Sequence, residues 1–299
     1  MAVTPKFPIS GLRSVELVVP DLAAARAFYT ATWGLLEAHE DNRTVYLRGV
    51  GSDPYILSLV EGASAAARSM TFRAHPATDL DELRRRMNNA GAQTEEDIGE
   101  FDTYGGGVGF AVRDLRGRRI AVVQNDDLAA SVPNDSHRPV RLAHININCS
   151  DIDADIAFFE NGMGFQLTDR SKIMGFLRTN GDHHAVVLAQ DTVDTLNHVS
   201  FLHETTEDMM RAGGKMRDAG YPIGWGPGRH GPGDNVFLYF VDPFGVVVEH
   251  TAEVLQVDDS YKFGGPEDWT WPAGRVDQWG IAPPKTDECK KAQRNIVFV

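Results

Sequence analysis

His144, His198 and Glu249 are residues of types that together can hold a metal ion. Each sits in a short run that otherwise reads as a buried strand: "LAHININ", "LNHVSFLH" and "FGVVVEHT". The acid is the least expected of the three. Val246, Val247 and Val248 lead straight into it, and a carboxylate in apolar surroundings is costly unless paired or metal-bound. Two imidazoles and one carboxylate form the set that holds non-haem Fe(II) on one face and leaves positions open for substrate and oxygen. In the competing reading His144 and His198 are satisfied core histidines and Glu249 pairs with Arg229 or Arg178.

An internal repeat singles out the same three residues. "VVPDLAAARAFYTATWGL" from Val18 matches "NCSDIDADIAFFENGMGF" from Asn148 at an offset of 130, with Asp21 on Asp151, Phe28 on Phe158 and Gly34 on Gly164. "MNNAG" at Met87 matches "MRDAG" at Met216, offset 129. "VRDLRGRRIAVVQ" from Val112 matches "FVDPFGVVVEHT" from Phe240, offset 128, with Asp114 on Asp242 and Gly117 on Gly245. On this alignment His144 answers to Ser14, His198 to Ser69 and Glu249 to Ala121. A structural requirement of the fold should occur in both copies, and this set occurs in one.

The elements that must position these residues follow from local pattern. "RSVELVV" and "AHININC" alternate with the period of a strand. Asp21 and Asp151 stand where an N-cap belongs, and Ile152, Ile156 and Phe159 recur at helical spacing. A second strand–helix–strands set follows in each half, "SMTFRA" with "DLDELRRRMNNAG" and "HVSFLH" with "TEDMMRAGGKMRDAG". The expected division is residues 1–124, a polar linker over 125–141, a second domain over 142–254, and a tail over 255–299. The tail carries Trp269, Trp271 and Trp279 among Pro and Gly and reads as a loop-rich cover.

Composition bounds the class. With 299 residues there is room for about two domains of ~150 residues. A formal charge of −13 argues against a nucleic-acid or anionic-membrane surface. Cys149 and Cys289 form no metal or redox cluster and suit a reducing compartment. No apolar run reaches the ~20 residues of a membrane span, so the expectation is a cytoplasmic protein. "YGGGVG" near Tyr104 precedes a strand and opens no helix, so it is not a phosphate cradle. His75, His203 and His250 are expected to have no functional role.

"GRHGPGDNVFLYFVDPFGVVVE", Gly228 to Glu249, strongly resembles the signature of type I extradiol ring-cleaving dioxygenases of the vicinal oxygen chelate superfamily. His230, Leu238, Tyr239, Asp242, Pro243, Gly245 and Glu249 fall in its pattern. The resemblance extends over both halves, and the tail looks like the lid of catechol and homoprotocatechuate 2,3-dioxygenases. It implies an α+β fold of two tandem domains, each of paired βαβββ modules forming an open barrel-like cleft, with the metal in the second. It implies His144, His198 and Glu249 as ligands of Fe(II), or of Mn(II), with no organic cofactor. His230 and Tyr239 resemble the pair beside the substrate oxygen, and Asn146 a polar position behind it. "DHHAVVLAQ" looks like the segment carrying an acid–base histidine. Strand alternation lets only one of His183 and His184 face the cleft, and the family pattern favours His184.

The activity so implied is extradiol cleavage of a catechol-type ring by O2 to a 2-hydroxymuconic semialdehyde-type product, by a homo-oligomer, with a tetramer favoured. The alternatives are a metal-dependent glyoxalase-like isomerase or lyase, which typically draws ligands from both halves, and a non-catalytic binding member of the superfamily. In the tail Arg275 is followed by Val276 rather than a second Arg, which favours a neutral catechol over a carboxylated one.

Overall fold

The computed structural model describes residues 5–41, 43–134 and 137–299; residues 1–4 and 42 of the expected first domain and 135–136 of the expected linker lie outside it. The first half holds eight strands, β1 (Ile9–Val19), β2 (Leu36–Asp41), β3 (Thr44–Arg48), β4 (Leu57–Glu61), β5 (Ala66–Ala74), β6 (Gln93–Glu100), β7 (Val108–Arg113) and β8 (Arg119–Gln124). Helix α1 (Leu22–Ala27) follows β1 and α2 (Leu80–Asn89) follows β5. The second half repeats the plan with β9 (Arg141–Cys149), α3 (Ile152–Asn161), β10 (Gln166–Arg170), β11 (Met174–Arg178), β12 (Val186–Gln190), β13 (Thr195–Leu202), α4 (Thr206–Asp218), β14 (Trp225–Arg229), β15 (Val236–Val241) and β16 (Val247–Ala252). The strand orders are β2-β3-β4-β1-β5-β8-β7-β6 and β10-β11-β12-β9-β13-β16-β15-β14, one order written twice. This is the α+β architecture of two tandem sheets that the resemblance implies.

Local chemistry sets the boundaries in both copies alike. Asp21 and Asp151 accept hydrogen bonds from the amides of Ala24 (2.9 Å) and Ala154 (3.1 Å), capping α1 and α3. Asp114 accepts from the amides of Arg116 and Arg118, and Asp242 from those of Phe244 and Val246. Gly117 and Gly245 close these turns at φ of 76° and 87°, a conformation that a side chain disfavours. The matched Asp and Gly of the repeat are therefore turn residues.

The halves are locked by reciprocal contacts. Tyr29 donates to Asp242 (2.8 Å), while Arg118 bridges Asp114 and Asp155 of the second half. Trp33 stacks on His250 at 3.6 Å between ring centroids and meets Phe201 edge-on. Phe72 meets Phe159 and Phe165 in return. One apolar core runs through both halves.

The tail is more than a cover. Its helix α5 (Asp287–Ala292) buries Cys289 and Ala292 against Phe237 and Tyr239, and strand β17 (Ile296–Val297) pairs with β13. The amide of Val299 then donates to Ala67 of the first sheet (3.0 Å). Among the described residues no helix is long and apolar enough to cross a membrane.

Candidate metal and catalytic site

Strand register brings His144, His198 and Glu249 to one level. Ser200 on β13 pairs with His144 on β9 and with Glu249 on β16, while His198 pairs with Asn146 and Tyr239 with Glu249. In the first sheet Ser14, Thr71 and Ala121 occupy the same junction, and Ser69 pairs with Glu16. The register thus reproduces the alignment of the copies, with Ser14, Ser69 and Ala121 opposite the three.

His144 Nε2 lies 3.0 Å from His198 Nε2, and Glu249 Oε2 lies 3.2 Å and 3.3 Å from them. Three mutually perpendicular ligands about 2.1 Å from one ion stand about 3.0 Å apart, so the donor set fits a divalent metal bound on one face. Glu249 is fully buried, yet neither of its oxygens receives a well-directed hydrogen bond. His198 donates through Nδ1 to Asn197 Oδ1 (2.8 Å), which leaves its Nε2 as a lone pair facing a carboxylate. That contact is repulsive unless a cation lies between. Arg229 pairs with Asp234 and Glu253, and Arg178 bonds Gln166 and the carbonyls of Val257 and Asp258, so neither arginine satisfies Glu249.

Burial drives the His198 pKa down to about 4, against the pull of Glu249, and lowers that of His230 for the same reason. It holds His184 well below 6.5, with neighbouring His144 adding to the effect. Near neutral pH these imidazoles are free bases, the form that ligates metals or takes up a proton. Burial alone would raise the Glu249 carboxyl; attraction, chiefly to His144, outweighs it and holds the pKa well below 4.5.

Around this cluster lies a cavity of about 450 Å³. His144, Asn146, His184, His198, His230 and Tyr239 line it. His230 Nε2 is 3.1 Å from the Tyr239 hydroxyl and 3.5 Å from Glu249. His184 packs against His144 at 4.5 Å between centroids. His183 does not reach the cavity. Its side chain points to Asp169 (2.9 Å from Nε2) and leaves Nδ1 3.0 Å from His184 Nδ1. In the turn before β12 the two side chains diverge, and His183 stands behind His184. Arg275 lines the cavity, but its guanidinium donates to the carbonyls of Asp277 and Gln278 within its own turn. Trp269 and Trp271 line the cavity too; Trp279 lies outside, under Arg229.

Six further residues complete the surroundings. Asp169 accepts from Tyr261 (2.9 Å) and from the amide of Gly264 (2.7 Å), tying the tail to the His183–His184 pair. Gln293 donates to Asn197 Oδ1 (2.6 Å) and accepts from Lys285 (2.7 Å), extending a chain of hydrogen bonds from His198 to a cation. Asn197 had a signal in its place beside His198. The four from the tail, Tyr261, Gly264, Lys285 and Gln293, had none, because the repeat does not predict which tail residues return to the second sheet.

Residues 141–250 match the Glyoxalase/Bleomycin resistance protein/Dioxygenase superfamily. Metapyrocatechase 2 of Cupriavidus necator is 24% identical over 95% of this chain and 93% of its own. The Mn(II)-bound glyoxalase from Novosphingobium aromaticivorans superposes with a TM-score of 0.88 at 29% identity, over 94% of each chain. Homoprotocatechuate 2,3-dioxygenase from Brevibacterium fuscum, solved with 3,4-dihydroxyphenylacetate, gives a TM-score of 0.83 at 25% identity, over 97% of this chain and 93% of that one.

Proposed function

Because this chain belongs to the vicinal oxygen chelate superfamily of glyoxalases and extradiol dioxygenases, we propose that it cleaves a catechol-type ring with O2, next to its vicinal hydroxyls, at a non-haem Fe(II) held by His144, His198 and Glu249. The product is of the 2-hydroxymuconic semialdehyde type. The observation that carries this reading is the convergence of His184, His230 and Tyr239 on the cavity wall around the two-histidine, one-carboxylate cluster. Full-length likeness to a metapyrocatechase and to a homoprotocatechuate dioxygenase supports it.

When bound, Fe(II), or Mn(II) in the same donor set, brings catechol and O2 together and lowers the pKa of the phenol. The remaining work falls to this chain. Asn197 fixes the His198 ring, and burial keeps that imidazole neutral. His230 and Tyr239 hydrogen-bond a substrate oxygen, and Asn146, whose Oδ1 is buried without a partner, orients it. His184 takes the catechol proton and returns it to the oxygen that leaves during O–O cleavage. Trp269 and Trp271 act as the inner face of a lid, residues 255–299, that excludes water. The boundaries 1–124, 142–254 and 255–299, a homotetramer and a cytoplasmic location belong to the same proposal; light scattering tests the assembly.

The likeness to the Mn(II)-bound glyoxalase favours a second reading, proton-transfer chemistry without O2. Ser14, Ser69 and Ala121 leave the first sheet without comparable ligands, which weighs against a site shared between the halves. Fe(II)-loaded protein given a panel of catechols distinguishes the two. Ring cleavage consumes one O2 per catechol and forms a yellow product, whereas isomerase chemistry consumes none.

A further inference from the structure

The protein carries a formal charge of −13, yet among the described residues its catalytic cavity is lined by Lys172, Arg275 and Lys285 and by no Asp or Glu. Glu249 is fully buried, 3.2 Å from His144 of the lining. Of the three, only Lys285 is not exposed. Among the described residues it has no ion pair, while Arg275 is engaged by backbone carbonyls and Lys172 is exposed. The Lys285 ammonium donates to Gln293 (2.7 Å) and rests over the rings of Trp225 (4.6 Å) and Tyr239 (5.6 Å). An ammonium has three donors, so the contact with Gln293 leaves others available. Tyr239 also carries the hydroxyl that meets His230, so Lys285 stands along the wall from the reacting end of the cavity.

A metal dication and Glu249 together leave one positive charge, which a singly ionised catechol cancels. Lys285 is then still unneutralised in a largely desolvated place, where a lone charge is costly. We propose that Lys285 binds an anionic substituent of the substrate, so that the ring cleaved here carries a carboxylate side chain. This rests on the ring-cleavage reading for the identity of the ring, and it reverses the expectation of a neutral catechol drawn from the isolated Arg275. Lys285 is the specificity determinant, with Gln293 and Trp225 holding its ammonium.

Two substrate pairs test it: 3,4-dihydroxyphenylacetate against 4-ethylcatechol, and 2,3-dihydroxyphenylpropionate against 3-propylcatechol. Binding to Fe(II)-loaded protein is read anaerobically by tryptophan fluorescence, and kcat/KM in air. The acid of at least one pair is expected to bind about 10- to 100-fold more tightly than its neutral partner, the span of a charge-assisted hydrogen bond. Lys285→Met should narrow that ratio to within about threefold, and Lys285→Arg should retain most of it, with thermal unfolding confirming that both variants fold. No preference for the acid in either pair, or an unchanged ratio in a folded Lys285→Met, overturns the proposal. If the acids bind selectively but no catechol is cleaved, the anion site stands and ring cleavage falls. If the catechols are cleaved without a preference, the reverse holds.

Discussion

His183 Nδ1 lies 3.0 Å from His184 Nδ1, and of the two only His184 reaches the cavity. Asp169 accepts from His183 Nε2, so His183 Nδ1 is an acceptor and His184 Nδ1 the donor. The Nε2 of His184 is thereby left as the basic nitrogen. Replacing His184 by Ala is expected to keep bound metal and catechol affinity while slowing the steps after O2 enters, by about 10²–10⁴-fold. His183→Ala should cost no more than about tenfold, by loosening the tautomer of its neighbour. Single-turnover rates and product ratios check this; an inversion of the two effects moves the acid–base role to His183.

His144→Ala, His198→Ala and Glu249→Ala should each lose most bound metal and nearly all activity without unfolding. The first sheet forms the same junction with Ser14, Ser69 and Ala121, so the register does not depend on the ligands. Metal content and circular dichroism decide the matter. Stoichiometric metal with normal turnover in Glu249→Ala would remove the ligand assignment.

The tail offers a finer test than deletion. Cutting the chain after Glu253 removes Cys289, Ala292 and Ile296 from the core and is expected to destabilise the whole protein. Trp271 is 40% exposed and lines the cavity, so Trp271→Ala should leave the fold intact. The expected result is a KM raised several-fold and O2 consumed without equivalent ring-fission product. Trp279→Ala, outside the cavity, should do neither. Wild-type coupling in Trp271→Ala would mean that this side chain is no part of a lid.

His203 is buried against His250, and burial lowers its pKa from 6.5 to about 3. The folded state therefore favours the neutral ring. Its contribution is fully present above pH 6.5 and lost progressively as pH falls toward 3, because the unfolded chain takes up the proton first. The whole shift corresponds to a loss on the order of 5 kcal/mol. Metal-free wild type should lose stability more steeply than His203→Gln between pH 6 and 4, by about 1.4 kcal/mol per pH unit. Urea unfolding at several pH values measures the difference, and parallel profiles would show that His203 does not titrate with unfolding.

Much of this molecule was legible in the chain, for a definite reason. Strand and helix periods are local, and a duplication supplies its own control, so four strand–helix–strands units and the odd residues His144, His198 and Glu249 could be read together. Alternation also required that His183 and His184 diverge. Which of them met the cavity depended on Asp169, 14 residues away, and on Tyr261 from the tail. Asn197, Gln293 and Lys285 form their chain of hydrogen bonds only because α5 and β17 return to the second sheet. The segment 255–299 has no counterpart in the other half and little periodicity, so its path is set by long-range packing of side chains such as Cys289 and Ile296. The sequence by itself singled out His144, His198 and Glu249 and the sheets that carry them. Only the tertiary structure decided which of the cavity's cations is enclosed, because a charge's surroundings are set in space and not by its neighbours along the chain.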